Sequence, residues 1–158
     1  MFSRLIPRSF DNTYQGRGLA LWLFGLVVLL RVVMSLNSII NSRTIAISAD
    51  GIPLDTYPPA AAQTVVSLFS LLGLAGLVIC LLCILALVRF RSMIPLMFLV
   101  LLLHFLGARL ILLILPIARN GTPPGTYVNL TLFVLLAVGL VLSLQSGGLL
   151  RSANPNPS

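Results

Sequence analysis

The sequence predicts an all-α membrane protein, a bundle of four transmembrane helices with both termini on the cytoplasmic side. Three observations carry that expectation. Hydrophobic residues make up 58% of the 158 and charged residues only 8%, whereas a soluble domain normally carries about 25% charged residues. The apolar residues fall in four long runs, each of a length that can cross a bilayer. The arginines gather at the ends of alternate runs, as a membrane orientation signal does.

The first run covers 19–40 and is interrupted by Arg31; the others cover 64–88, 93–117 and 127–144. A helix of about 20 residues at roughly 1.5 Å each crosses a hydrocarbon core of roughly 30 Å. The runs are continuous rather than alternating, which favours helices over barrel strands, and in lipid a helix satisfies its own backbone groups. The breaks are chemically clear. Pro58 and Pro59 precede the second run and Arg89 and Arg91 end it; Asn120-Gly121-Thr122-Pro123-Pro124-Gly125 separates the third from the fourth, and Gly147-Gly148 closes the last. Residues 1–148 therefore read as one transmembrane domain, and 149–158, ending Asn-Pro-Asn-Pro-Ser, as a disordered tail.

Orientation follows from the arginines. Arg4, Arg8, Arg17, Arg89, Arg91 and Arg151 would lie on one side, while the other has only Arg43 and Arg119, with Asp50 and Asp55 beside the former. That places both termini in the cytoplasm by the positive-inside rule. A cleaved signal peptide competes for the first run, since Ala46-Ile47-Ser48 fits a small-x-small site. The run is too long for a signal core, contains Arg31 and ends well before that site. Between the first two spans, Thr44 to Ser48 alternates and Asp50-Gly51 is a turn signal, which allows a small outer-loop hairpin, although Pro53 weakens its second strand. Trp22 and Tyr127 stand where interfacial aromatic anchors belong.

A net charge of +7 would suggest nucleic acid in a soluble protein, but these arginines flank hydrophobic runs and form no basic stripe, so nucleic acid is excluded as a partner. Every basic residue is Arg, with no Lys or Glu, a bias typical of GC-rich bacterial genomes. The stretch LNSIINSRTIAISADGIPLDTYPPAAAQTVVSLF (36–69) and PPGTYVNL (123–130) resemble a group of small uncharacterised bacterial inner-membrane proteins. The resemblance implies a multi-pass inner-membrane location and the helix count; it brings no activity and no site residues.

Arg31 and Arg109 are the most informative positions. A guanidinium near the centre of a membrane helix costs roughly 2.5–3.5 kcal/mol on insertion scales and needs a partner or an escape route. Counted from the outer ends of their runs, both sit roughly 12–14 Å deep at 1.5 Å per residue. Arg31, Ser35, Ser38 and Ser42 repeat at helical spacing and form a polar stripe climbing toward Asp50 and Asp55. One reading is an outward-facing pocket for an anion or lipid headgroup, with Arg31, Arg109, Ser35, Ser38, Asp50 and Asp55 as candidate binding residues. The alternative is structural: arginines that snorkel, or pair with loop carboxylates and hold the helices in register. His104, the sole histidine, joins the candidates as an interior hydrogen-bonded group or a proton relay, although it points about 140° away from Arg109 on a helical wheel.

Cys80 and Cys83 have the CxxC spacing of thiol oxidoreductases but lie among leucines with nothing to lower a thiol pKa. Gly73, Gly76, Cys80 and Cys83 read instead as a small-residue seam for close helix packing. Asn120-Gly-Thr122 and Asn129-Leu-Thr131 match the glycosylation sequon, a pattern common by chance. No phosphate loop, nucleophile elbow or zinc signature occurs, so neither cofactor nor enzymatic activity is expected. The expected role is a structural or accessory membrane component, its partners being the lipid bilayer and a membrane protein or second copy of the chain. A small transporter or channel subunit is the alternative, and a thiol oxidoreductase a distant third.

Overall fold

The computed structural model describes residues 11–145. The expected tail at 149–158 and the flanking Arg4, Arg8 and Arg151 lie outside them. Four long helices are present: α1 (Gly18–Ile40), α2 (Pro59–Arg89), α3 (Ile94–Ile114) and α4 (Gly125–Leu144). All four are long and apolar enough to cross a membrane. The protein is thus an all-α, multi-pass membrane protein. The aromatic residues expected as interfacial anchors lie on its surface: Trp22 is 82% and Tyr127 64% exposed.

Prolines set several ends. Pro59 opens α2 at its first turn, where a missing N–H costs nothing. The Ala60–Ala62 run carries that helix outward, so α2 begins before the expected 64 and reaches about 46 Å at 1.5 Å per residue. α3 stops at Ile114 rather than 117, because Leu115 precedes Pro116 and adopts φ −121°, ψ 77°.

Hydroxyls within the spans are satisfied by their own helices. Ser70 Oγ donates to the Val66 carbonyl (3.2 Å), Thr131 Oγ1 to Tyr127 (3.0 Å) and Ser143 Oγ to Leu140 (2.7 Å). In a medium without water this back-bonding keeps these three hydroxyl donors paired.

α1 is the central strut. It packs along α2 over the greatest length and against α4 on another side; α3 closes on α4 and touches α1 and α2 only sparsely. The half of the bundle nearer Gly18 and Leu144, termed inner after the expected orientation, is tightly filled by Phe24, Val27 and Val28 of α1, Cys83 of α2, Phe98 and Leu101 of α3, and Leu132 and Leu136 of α4. The Phe24 and Phe98 rings meet edge to face with centroids 4.9 Å apart. Gly139 lies directly against the Phe98 ring. On the inner face, Ser92 Oγ donates to the Asp11 carbonyl (3.0 Å) and the Arg17 N–H reaches the Leu142 carbonyl (3.4 Å), tying the segment before α1 beneath the other helices. Tyr14 is held in that layer, and burial pushes its phenol up to about 12.

The outer loops differ from expectation. No hairpin forms: no strand occurs among the described residues. After a break at Asn41 the chain resumes helical form through Ser42–Thr44 and a wide π turn, Ile45–Ala49, before a short 3-10 turn at Leu54–Thr56. Alternation at Thr44–Ser48 is overridden because the turn buries Ala46 with Ile52, Leu54 and Ala62 in a second, smaller core. Gly51 takes φ +70°, the left-handed conformation that glycine adopts without penalty. Its carbonyl accepts the Asn120 N–H (2.8 Å), which pins the two outer loops together.

The small-residue seam is as the sequence implies. A Cβ at Gly73 would stand 2.9 Å from the Ser35 carbonyl oxygen and 3.0 Å from Ser38 Cβ, so α1 and α2 approach through this gap. A Cβ at Gly107 would meet nothing within 4 Å. All three Gly→Ala changes share the same helix-propensity gain, so Gly107→Ala is an internal reference for Gly73→Ala and Gly139→Ala. Relative to it, each should lose about 1–3 kcal/mol to overpacking, read as a lower melting temperature in detergent. Equal melting temperatures for the three would contradict this packing.

Candidate functional site

The outer half of the bundle is not filled in the same way. Because α3 contacts α1 and α2 only sparsely, a cavity of about 160 Å³ remains between the outer ends of α1, α3 and α4. Arg31 lines it from α1, and His104, Phe105, Ala108, Arg109 and Leu112 from α3. Thr126 and Asn129 contribute from the first turns of α4, with Asp50 and Arg119 from the two outer loops.

Four of the seven candidate residues, Arg31, Arg109, Asp50 and His104, therefore share one cavity. His104 and Arg109, expected on different faces, both belong to it. Positions 104, 105, 108, 109 and 112 form one broad helical stripe, and the cavity curves around it. Counted from the helix ends, the two arginines are not equally far in. With α3 ending at Ile114, Arg109 lies only about 7–8 Å from its helix end at 1.5 Å per residue, and Arg31 remains deeper.

Three candidates lie elsewhere. Ser35 and Ser38 turn toward α2, where Gly73 and Gly76 admit them; a Cβ at Gly76 would stand 2.8 Å from Ser35 Oγ. Ser42, at the top of the same stripe, is buried. The missing side chains on α2 decide what this face of α1 meets. Asp55 pairs with Arg43 across 3.6 Å, both side chains largely exposed, an arrangement that contributes little to stability.

Arg119, Thr126 and Asn129 were not among the sequence candidates. Thr126 and Asn129 are a polar pair spaced three apart at the start of α4, the one local signal that they share a face. Arg119 arrives through tertiary structure: the Asn120–Gly51 bond holds its loop above the cavity.

The electrostatics are unbalanced. Three guanidinium groups face one carboxylate, leaving an excess of two positive charges when Asp50 is ionised. Among the described residues the ion pair is Arg43–Asp55; Asp50 closes to ion-pair distance of no cavity arginine. Burial pushes the Asp50 carboxyl above its ordinary value, while Arg119 and then Arg109 pull the other way. Its neutral form thus favours the fold. That contribution is full below the ordinary carboxylate range and is lost as pH rises through the raised value. Arg109 lies over the Phe105 ring, its guanidinium carbon 5.5 Å from the centroid. Arg31 has no such support: its Nε is sealed from solvent and has no hydrogen-bond partner.

Cys80 and Cys83 carry free, buried thiols on the α2 face that meets α1, and Cys83 belongs to the inner core. Among the described residues, no group of three or more His, Cys, Asp or Glu could hold a metal ion. Chemically, the cavity offers cationic and neutral hydrogen-bond donors converging on a small volume, the requirement for binding an anion. No family model, curated protein or solved structure matches the chain.

Accessibility separates the two polar faces. Thr126→Cys and Asn129→Cys should react with a membrane-impermeant thiol reagent added from the loop side, whereas Ser35→Cys and Ser38→Cys should be protected by α2. Labelling of the serine positions, with Thr126→Cys and Asn129→Cys inert, would contradict the assignment of the cavity walls.

Proposed function

We infer that the protein is an accessory, non-catalytic component of a bacterial inner membrane that holds an anionic group in its outer cavity, both termini being cytoplasmic. The observation that carries the binding role is the convergence of Arg31, Arg109 and Arg119 on one cavity that holds a single carboxylate, with the Arg31 Nε buried and unpartnered behind it. An orphaned buried donor in a native structure calls for an ion or water to meet it. Arg17, Arg89 and Arg91 at the inner helix ends support the orientation. The bacterial inner-membrane location rests on the sequence resemblance alone.

A small transporter or channel subunit for the same anion would use the same residues. The Phe24–Phe98 contact and the buried Leu136 close the bundle below the cavity, which favours holding over passage.

The reading is tested by thermal unfolding of the purified protein titrated with inorganic phosphate. A ligand at a hundredfold excess over its Kd stabilises the folded state by about 2.7 kcal/mol, so the melting temperature should rise by several degrees. Arg31→Gln and Arg109→Gln should abolish the rise. As pH falls through its raised pKa, Asp50 takes up a proton and the positive excess grows from two to three, which strengthens phosphate binding on top of any change from the anion's own protonation. Asp50→Asn should remove that part of the pH dependence. Melting temperatures that ignore the anion, or that respond equally in the arginine variants, would overturn the reading.

A further inference from the structure

The polar cavity does not stand alone. A second hollow of about 270 Å³ lies over the outer end of α3, lined by Arg109, Leu112, Leu113, Pro116, Ile117 and Arg119. Arg109, Leu112 and Arg119 line both hollows. One is therefore polar and the next apolar, with two guanidinium groups at the junction. A freely soluble anion would occupy the first and leave the second empty. An amphiphile would use both.

The surroundings suit such a molecule. α3 has the smallest buried share of the four spans, and Leu113, on the wall of the second hollow, is 80% exposed. A chain approaching from the lipid would meet no covering helix there. Size and charge narrow the headgroup. The polar cavity, at about 160 Å³, falls below the roughly 300–1,000 Å³ of pockets for drug-sized ligands, which leaves room for a phosphate but not for a bulky sugar. Its excess of two positive charges matches a phosphate monoester, which carries about −1.5 to −2 near neutral pH. A diester carries one charge fewer. Thr126 and Asn129 supply neutral donors for oxygens the guanidinium groups do not reach.

We propose that the joined hollows bind a lipid phosphate monoester, the phosphate among Arg31, Arg109 and Arg119 and the chain over Leu113, Pro116 and Ile117. This rests on the anion-holding role inferred above, and the experiment separates the two. The full chain is reconstituted in phosphatidylcholine nanodiscs, and binding is followed for phosphatidic acid, phosphatidylglycerol, glycerol phosphate and inorganic phosphate. Phosphatidic acid should bind at least about tenfold more tightly than either glycerol phosphate or phosphatidylglycerol. Leu113→Ser and Ile117→Ser should weaken phosphatidic acid while leaving inorganic phosphate unchanged; Arg119→Gln, outside the spans, should weaken both. If glycerol phosphate matches phosphatidic acid and the hollow variants have no effect, the lipid assignment is overturned and the anion role stands. If phosphatidylglycerol binds equally, the monoester assignment is overturned. If no anion binds, soluble or lipid, both readings fail.

Discussion

A guanidinium group buried in a membrane helix must be hydrated, paired or neutralised, and Arg31 is the place where this protein meets that requirement. At the depth of a span centre the cost is about 2.5–3.5 kcal/mol on insertion scales, enough to shape everything around it. Arg109 and Arg119 add like charge to the same cavity, and Asp50 offsets only one of the three. Arg109 gains some relief from the Phe105 ring. Arg31 has no such ring over it among the described residues, and its Nε is buried without a hydrogen-bond partner. An arrangement that gathers cations without matching carboxylates makes physical sense when the missing negative charge comes from a ligand.

The two halves of the bundle divide the work. In lipid, helices associate through close packing rather than through the hydrophobic effect, so small residues and interlocking rings matter most. Gly73 lets α2 approach α1, and Gly139 gives way to Phe98. Together with the Phe24–Phe98 contact they make the inner half a rigid base. The outer half is held by the loops instead. The Asn120–Gly51 hydrogen bond joins them, and a Cβ on Gly125 would lie 2.6 Å from the Ala49 carbonyl oxygen, so α4 begins hard against the first loop. These contacts place Asp50 and Arg119 over the cavity while α3 stays free to face lipid on its outer surface.

Much of this is legible in the sequence, for reasons that differ by element. The four spans follow from composition and run length, because a bilayer imposes one solution on a long apolar segment. α2 begins five residues before the expected 64, because the polar Gln63 and Thr64 separate Ala60–Ala62 from the apolar run. The hairpin reading failed because local alternation competes with burial: Ala46 has a core to join only when the chain turns helically above α2. Arg31, Arg109, Asp50 and His104 could be singled out as polar groups out of place in or beside lipid. Ser35 and Ser38 misled, since a helical wheel shows which residues share a face but not what the face meets; Gly73 and Gly76, on another helix, decide that. Arg119 is brought in by a loop contact that no local pattern encodes, whereas Thr126 and Asn129 share a face of α4 by their spacing of three.

The most direct test of the account is the side-chain resonance of Arg31 Nε–H in nitrogen-labelled protein reconstituted in lipid nanodiscs. With the cavity empty that donor is buried without a partner; with a phosphate monoester bound, the Arg31 guanidinium gains a negative charge beside it, which shifts the Nε–H resonance. The account predicts a saturable shift of the Arg31 resonance on adding a phosphate monoester, accompanied by Arg109 and Arg119 and not by the exposed Arg43. An Arg31 resonance that stays fixed while the ligand is added to saturation, or that moves no more than Arg43, would contradict it.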